Sequence, residues 1–183
     1  MHRCNNKTCS IVQDSTNSMK GGAPVSDTVR AIAVLSGSAG VSGVIRFSQS
    51  LNGGPTTITG TIKGLQRGHH GFHIHEFGDL SDGCTSAGAH YNPTGKRHGD
   101  INEPDSHIGD LGNVSTHSSS TDTEVNIVAD KVSLLGPFSV VGRSLVLHQD
   151  FDDLGRGQHE DSLTTGHSGS RVACGVIGIA KAY

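Results

Sequence analysis

Histidine is the residue type that stands out in this chain. The 183 residues include 12 histidines but only five Phe, two Tyr and no Trp, so apolar packing does not account for the imidazoles. His73 and His75 are separated by one residue. In a strand such residues face the same way, about 6 to 7 Å apart along the backbone, which is a spacing that suits two ligands of one metal ion. An isolated pair of this kind is a weak signal, because most histidines are simply solvated or hydrogen-bonded.

Further residues of the same chemistry follow. His90, His98, His107 and Asp110 lie within the next 35 residues, and His148 ends a later apolar run. Seven candidate ligands exceed the about four of a structural zinc site or the about four to five of a copper site. Two ions that share one imidazolate fit the count. Three imidazoles with one carboxylate suit zinc, and an all-imidazole set suits copper, so the sequence predicts a centre with both metals.

The elements that must position these residues are short strands. Gly supplies 26 residues and hydrophobic residues only 33%, and no window has a sustained helical stripe. Alternating and β-branched runs between turn residues predict an all-β fold, an eight-stranded antiparallel Greek-key sandwich or barrel of immunoglobulin-like type. The predicted strands cover residues 28–36, 42–49, 56–63, 69–75, 111–117, 124–131, 142–148 and 171–179.

Two long segments interrupt the strands: the first long loop, residues 76–110, and the second long loop, residues 149–170. Loops beyond about 12 to 15 residues in a compact domain are usually functional, and each of these follows a strand that ends in histidine. Residues 1–27 have no periodicity and are predicted to be a flexible extension. Residues 28–183 are predicted to form one domain.

Charge and hydropathy exclude several partner classes. The net charge is −3, and the longest basic run is the pair Lys96–Arg97, so we expect neither nucleic acid nor anionic membranes as partners. The apolar runs are too short for a membrane helix or a secretory leader, and a cytoplasmic location is the expectation. Cys84 and Cys174 are 90 residues apart, so a long-range disulfide is an option that the sequence alone does not require.

Four segments carry a resemblance to a known family: GFHIHEFGD at residues 71–79, GCTSAG at 83–88, HIGDLGN at 107–113 and GHSGSRVACG at 166–175. Through them the chain resembles the copper/zinc superoxide dismutases from about residue 29 to 180. This likeness implies conversion of superoxide to dioxygen and hydrogen peroxide by redox cycling of copper, as an antioxidant defence. It also implies a disulfide between Cys84 and Cys174.

The resemblance implies a role for each candidate ligand. Copper is bound by His73, His75 and His148, and zinc by His98, His107 and Asp110, while His90 bridges both ions and donates a proton to the product. Asp152 is implied to join the rings of His73 and His98 from outside the metal shell. Such a carboxylate fixes the tautomer and orientation of its histidines.

Other implied roles concern the substrate and the partners. Arg171 orients the small anion beside copper, Thr165 lines the channel, and Glu160 and Asp161 match an acidic pair of the family. Position 164, which often carries a guiding lysine, is Thr164 here, so we expect weaker attraction of the anion. The family implies a homodimer, with contact positions at Phe77, Gly142, Val176, Gly178 and Ile179, and a copper-delivery protein as a partner.

Two alternatives remain at this level. A copper-delivery protein with a dismutase-like domain usually carries a C-x-x-C domain and lacks copper ligands, whereas here the only N-terminal pair is Cys4 and Cys9. A metal buffer with a closed channel would fill the same sites without catalysis. The remaining histidines, which match no ligand and are interpreted as solvated or structural, are His2, His69, His70, His117, His159 and His167.

Overall fold

The computed structural model describes residues 27–37, 40–118 and 122–181. The predicted extension, residues 1–27, lies outside this part of the chain except for its last residue. Within the described ranges, no helix is long and apolar enough to cross a membrane.

Nine strands, one turn of 3-10 helix at Thr85–Ala87 and one short helix, α1 (Ser162–Thr165), make up the secondary structure of the described residues. The strands are β1 (Thr28–Gly37), β2 (Ser42–Ser50), β3 (Thr56–Lys63), β4 (Gly68–His75), β5 (Ser81–Cys84), β6 (Asp110–Thr116), β7 (Thr123–Ala129), β8 (Ser144–His148) and β9 (Arg171–Ile179).

Eight of these strands form one antiparallel sheet in the order β6-β4-β8-β9-β1-β2-β3-β7. β4 pairs with β6 and β8, and β3 pairs with β7, so neighbouring strands in the sheet are often not consecutive in the chain. Connections of this kind are those of a Greek key. The sheet curls into a nearly closed barrel. The predicted all-β architecture with eight antiparallel strands is confirmed.

The core fills the barrel with residues from alternate strand positions. Ala31, Ala33 and Leu35 point inward from β1, and Ile45 and Phe47 do so from β2. This is the period of two that a half-buried strand requires.

β4 and β8 differ from that pattern because both of their faces are buried. Phe72 and Ile74 of β4 belong to the core, while His73 and His75 face the opposite way and are also buried. The long loops therefore cover a histidine face of the sheet, which is where the sequence predicts the chemistry.

The sequence analysis did not predict the strand β5, which the structure contains. It has only four residues, Ser81–Cys84, which are polar or small and show no apolar alternation. The other predicted strands agree with the structure to within one or two residues at their ends.

Candidate metal centre

Four buried histidines meet on the outer side of β4 and β8. His73 and His75 lie on β4, His148 ends β8, and His90 reaches them from the first long loop, where it forms an isolated bridge with His75. One ligand atom from each of the four lies within 4.8 Å of the others. The Nε2 atoms of His75 and His148 are 3.3 Å apart. We call this set the four-histidine group.

A second group surrounds Asp110, the first residue of β6. Its Oδ1 lies 3.0 Å from Nδ1 of His90, 3.0 Å from Nδ1 of His98 and 3.1 Å from Nδ1 of His107. Its Oδ2 accepts the backbone N–H groups of Gly99 and His107. The four side chains form the three-histidine–aspartate group, and His90 is the member that both groups share.

Asp152 of the second long loop connects the two groups. Its Oδ2 accepts a hydrogen bond of 2.8 Å from Nε2 of His73, and its Oδ1 accepts one of 2.7 Å from Nε2 of His98. A Cβ at Gly166 would overlap both the Asp152 carboxylate and the His98 ring, and the backbone φ there is +68°. Only glycine fits both the space and the conformation.

Backbone carbonyls orient the other two histidines. Nδ1 of His75 donates to Gly88 O at 2.9 Å, and Nδ1 of His148 donates to Gly169 O at 3.2 Å. Each ring is thereby held in the tautomer that leaves its Nε2 free of a proton, as metal binding requires.

Burial controls the protonation of the four-histidine group. Desolvation lowers the pKa of His148 to about 4, although the Gly169 carbonyl opposes this shift. Desolvation also holds the pKa values of His73, His75 and His90 below the ordinary value, with neighbouring imidazoles adding to the effect. These rings are therefore neutral, which is the form that binds a metal.

At His98 the carboxylates of Asp110 and Asp152 reverse the effect of burial on the pKa. Burial alone would lower its pKa, but the hydrogen bonds to Asp110 and Asp152 outweigh burial and raise the pKa to about 9. Burial would also raise the pKa of Asp110, yet the hydrogen bonds from His107, His90 and His98 hold it far below the usual range. Without metal, the three-histidine–aspartate group thus contains a buried ion pair.

Two buried ring nitrogens without hydrogen-bond partners show whether the residues present fit metal ions. Nδ1 of His73 and Nε2 of His90 have no hydrogen-bond partner among the described residues, and both belong to the four-histidine group. Unpartnered buried polar atoms are rare in folded proteins. Four imidazoles suit copper, three imidazoles with a carboxylate suit zinc, and so the residues present fit both ions.

A cavity leads to the four-histidine group. It is lined by His75, His90 and His148, by Arg171, and by Asp161, Thr164 and Thr165 of the second long loop, with Ala89 and Gly169. The Arg171 guanidinium donates to Cys84 O at 2.6 Å and to Gly88 O at 2.6 Å. The guanidinium is therefore fixed by the first long loop.

A disulfide joins Cys84 to Cys174. It links the end of β5 to β9, three residues after Arg171. The bond therefore ties the loop that holds the Arg171 guanidinium to the strand that carries the residue.

The structure brings together all the residues that the sequence singled out for this site. The seven candidate ligands are at most 5% exposed, Asp152 touches two of them, and Arg171 and Thr165 line the cavity. The sequence analysis gave no role to Gly88, Gly166 or Gly169. Gly166 leaves room for the Asp152 carboxylate and the His98 ring, and Gly88 and Gly169 accept hydrogen bonds through their backbone carbonyls.

The sequence analysis also missed the role of Asn113, whose amide and carbonyl groups bond the backbone O and N–H of Asp152 at 2.9 and 2.8 Å. Asn113 ends the segment HIGDLGN and begins an Asn-x-Ser pattern, and neither feature indicates a contact with a residue of the second long loop.

Comparison with known proteins agrees with this geometry. The family model for copper/zinc superoxide dismutase matches residues 41–177. The chain is 55% identical over 154 residues to an extracellular superoxide dismutase [Cu-Zn] of Onchocerca volvulus, a match that covers 82% of this chain and 76% of the relative. It is 50% identical over 158 residues to a superoxide dismutase [Cu-Zn] of the same organism, which covers 85% of this chain and 99% of that relative.

A Greek-key barrel, a shared histidine between two ligand groups and a family match over most of the domain agree with one another. The enzyme is an oxidoreductase that uses copper and zinc. The chain belongs to the copper/zinc superoxide dismutase family, and dismutation of superoxide is the activity that this membership gives it.

Proposed function

We propose that the four-histidine group holds copper, that the three-histidine–aspartate group holds zinc, and that His90 bridges the two ions during superoxide dismutation. The observation that carries this assignment is the position of His90. Its Nδ1 lies 3.0 Å from Asp110 Oδ1, and its Nε2 is buried without a partner among the described residues, on the side of His73, His75 and His148.

Copper held by His73, His75, His90 and His148 would supply one-electron redox chemistry between two superoxide anions. The overall balance is two superoxide anions and two protons giving one dioxygen and one hydrogen peroxide. We propose that His90 Nε2 would carry one of those protons, taking it up from solvent when the atom is not holding copper and passing it to the product, since His90 lines the cavity.

Arg171 is the proposed anion-orienting residue. Its guanidinium is permanently charged, and two backbone carbonyls of the first long loop hold it in the cavity that also exposes His75 and His148. Thr165 also lines the cavity, and its hydroxyl donates to the Asp161 carboxylate at 3.1 Å. A small anion fits such a pocket better than a bulky substrate does.

The test compares His148→Ala with His117→Ala in protein loaded with both metals. His148 lies in the four-histidine group, while His117 is exposed beyond β6. We expect His148→Ala to abolish dismutation and to keep zinc binding, and His117→Ala to retain activity. Activity that survives His148→Ala would contradict the assignment. A wild-type protein that binds both metals without activity would favour the metal-buffer alternative.

We also propose a homodimer formed through β9 and the start of the first long loop. Phe77 at the start of the first long loop is 53% exposed, and Val176 and Ile179 of β9 are 40% and 85% exposed, so these segments present large apolar side chains to solvent. A Cβ at Gly78 would overlap the Gly142 carbonyl and touch Val176, so these segments are packed against each other. An isologous contact would cover the apolar surface of both copies.

Three further proposals concern the rest of the chain and its surroundings. Residues 28–183 form the catalytic domain, and residues 1–27 are an extension that precedes it. Copper reaches the protein from a copper-delivery protein.

The proposed location is the cytoplasm, although one of the two relatives is named as an extracellular enzyme. The side chain of Asn113 is engaged by Asp152, so this Asn-x-Ser pattern gives no reason to expect a secretory glycan. Fractionation of cells that express the full coding sequence tests the location, and enzyme recovered from the medium would overturn it.

A further inference from the structure

The cavity wall has an unusual charge balance. The second long loop contains the acids Asp150, Asp152, Asp153, Glu160 and Asp161, and its one arginine is Arg156. Arg156 is engaged elsewhere, since it lies 2.9 Å from Glu103 and 3.7 Å from Asp100 of the first long loop. Among the residues that line the cavity, Arg171 is the one permanent cation and Asp161 is the one acid. An anion that approaches the cavity therefore meets an opposing carboxylate.

A stacked pair of histidines lies beside that carboxylate. Nδ1 of His167 donates to Asp161 Oδ1 at 2.7 Å. The ring of His159 stacks on that of His167 with centroids 3.6 Å apart and an interplanar angle of 7°. All three residues lie outside the metal groups, and the His167 and Asp161 side chains are about half exposed.

The backbone shows that His167 is held in place. Its φ is +51°, a left-handed conformation that residues other than glycine rarely adopt, although Asn and His tolerate it better than most. The ring is thus fixed on both sides, by the Asp161 carboxylate and by the His159 ring.

We propose that His167, stacked on His159 and bonded to Asp161 of the cavity wall, is a titratable cation beside the cavity that modulates how strongly the enzyme attracts its anionic substrate. The proposal rests on the proposed function, because it takes superoxide as the anion. When His167 is protonated, its positive charge offsets the negative charge of Asp161, and the positive charge of Arg171 remains in the cavity wall. When His167 is neutral, the carboxylate repels the anion.

The sign of the pH dependence follows. Histidine is the side chain that ordinarily gains a proton between pH 8 and 5, so attraction increases as the pH falls through this range. The other charged or titratable groups near the pair are Asp161 and Arg171 of the cavity wall, His159, which stacks on His167, Glu160, which precedes Asp161 in the chain, and Asp150, which lies beside Gly169.

The kinetic test uses His167→Asn, since Asn tolerates the left-handed backbone. Superoxide consumption by the metal-loaded enzyme is followed by pulse radiolysis at low ionic strength. At pH 6 we expect the variant to be about twofold slower than the wild type, which is the effect of one unit charge seen across about 10 Å of water. At pH 9 the rates should agree, and at about 0.2 M salt the pH 6 difference should disappear.

Two further variants give the controls. His117→Asn removes an exposed imidazole beyond β6, at the opposite end of the strand from Asp110, and should change nothing. Asp161→Asn removes the opposing carboxylate and should be about twofold faster than the wild type at pH 9, by the same unit-charge argument. A variant equally slow at pH 6 and pH 9 would show a structural role and overturn the proposal, and so would a variant with no change at pH 6.

A second readout does not depend on activity. Hydrogen bonding from His167 lowers the pKa of the Asp161 carboxyl. Carbon-13 NMR of the loaded enzyme with copper kept in its diamagnetic reduced state should show this pKa rising in His167→Asn. An unchanged Asp161 pKa would overturn the charge coupling. If the wild type showed no dismutation at all, the proposed function would fail, whereas this NMR titration would still decide whether His167 and Asp161 act as a pair.

Discussion

His73 and Asp152 form a completely buried pair, with Nε2 2.8 Å from Oδ2 and neither side chain exposed to solvent. The other carboxylate oxygen holds His98 at 2.7 Å. One side chain of the second long loop therefore fixes a member of each ligand group. Because the ring nitrogens facing Asp152 carry the protons, the opposite nitrogens are left for the metals.

Replacing Asp152 should weaken both sites at once. In Asp152→Asn the amide accepts through one oxygen only, so either His73 or His98 loses its acceptor. We expect the affinity for copper and for zinc to fall, each within the roughly 10- to 100-fold range usual for such outer carboxylates. Competition with chelators measures both. Asp122→Asn, an exposed acid paired with Lys63, is the matched control, and unchanged affinities in Asp152→Asn would count against the bridging role.

Zinc uptake should release a proton at neutral pH. The pKa of His98 in the metal-free protein is raised to about 9, so this ring is protonated at pH 7 and must become neutral to bind zinc. We expect release of about one proton per zinc at pH 7 and a decline toward zero as the pH rises through 9. Calorimetry in buffers with different ionisation enthalpies measures the number, and the absence of proton release at pH 7 would refute the assigned protonation of His98.

The disulfide should contribute strongly to stability. It closes a segment with a sequence separation of 90 residues, for which the chain-entropy estimate is roughly 4 to 5 kcal/mol. The double variant Cys84→Ser, Cys174→Ser should therefore unfold at a lower urea concentration and lose several kcal/mol. Cys9→Ser is the control. A double variant as stable as the wild type would mean that hydrogen bonds and packing hold the first long loop without the disulfide.

The proposed dimer should depend on Ile179. Ile179→Lys places a charge on the exposed end of β9 and should shift the protein toward monomer in sedimentation equilibrium, because a buried unpaired charge is costly. Val128→Lys, at a 59% exposed position of β7, should leave the association state unchanged. If Ile179→Lys and the wild type have the same mass in solution, this face is not the interface.

How far the sequence predicts the structure depends on the kind of interaction. Period-two alternation places Ala31, Ala33 and Leu35 inside the barrel, so these strands are predictable from local pattern. β5 is not predictable from local pattern, because its four residues are polar or small and show no apolar alternation.

The same division holds within the metal centre. The residue types and spacing of His73, His75 and Asp110 are enough to indicate metal ligands. Gly166 and the carbonyls of Gly88 and Gly169 act only through the three-dimensional arrangement. All three lie in segments that carry the family resemblance, but the sequence of those segments does not indicate what each glycine contacts. Nothing in the eight-residue spacing of His159 and His167 indicates that they stack, so the sequence treats them as two unrelated histidines.

Anomalous diffraction tests the bridging role of His90 without relying on activity. Crystals of the oxidised protein are loaded with both metals, and data are collected on either side of the copper and zinc absorption edges. We predict a copper peak within bonding distance of His90 Nε2 and a zinc peak within bonding distance of His90 Nδ1. A His90 ring that contacts only one metal, or the same element on both sides, would contradict this prediction.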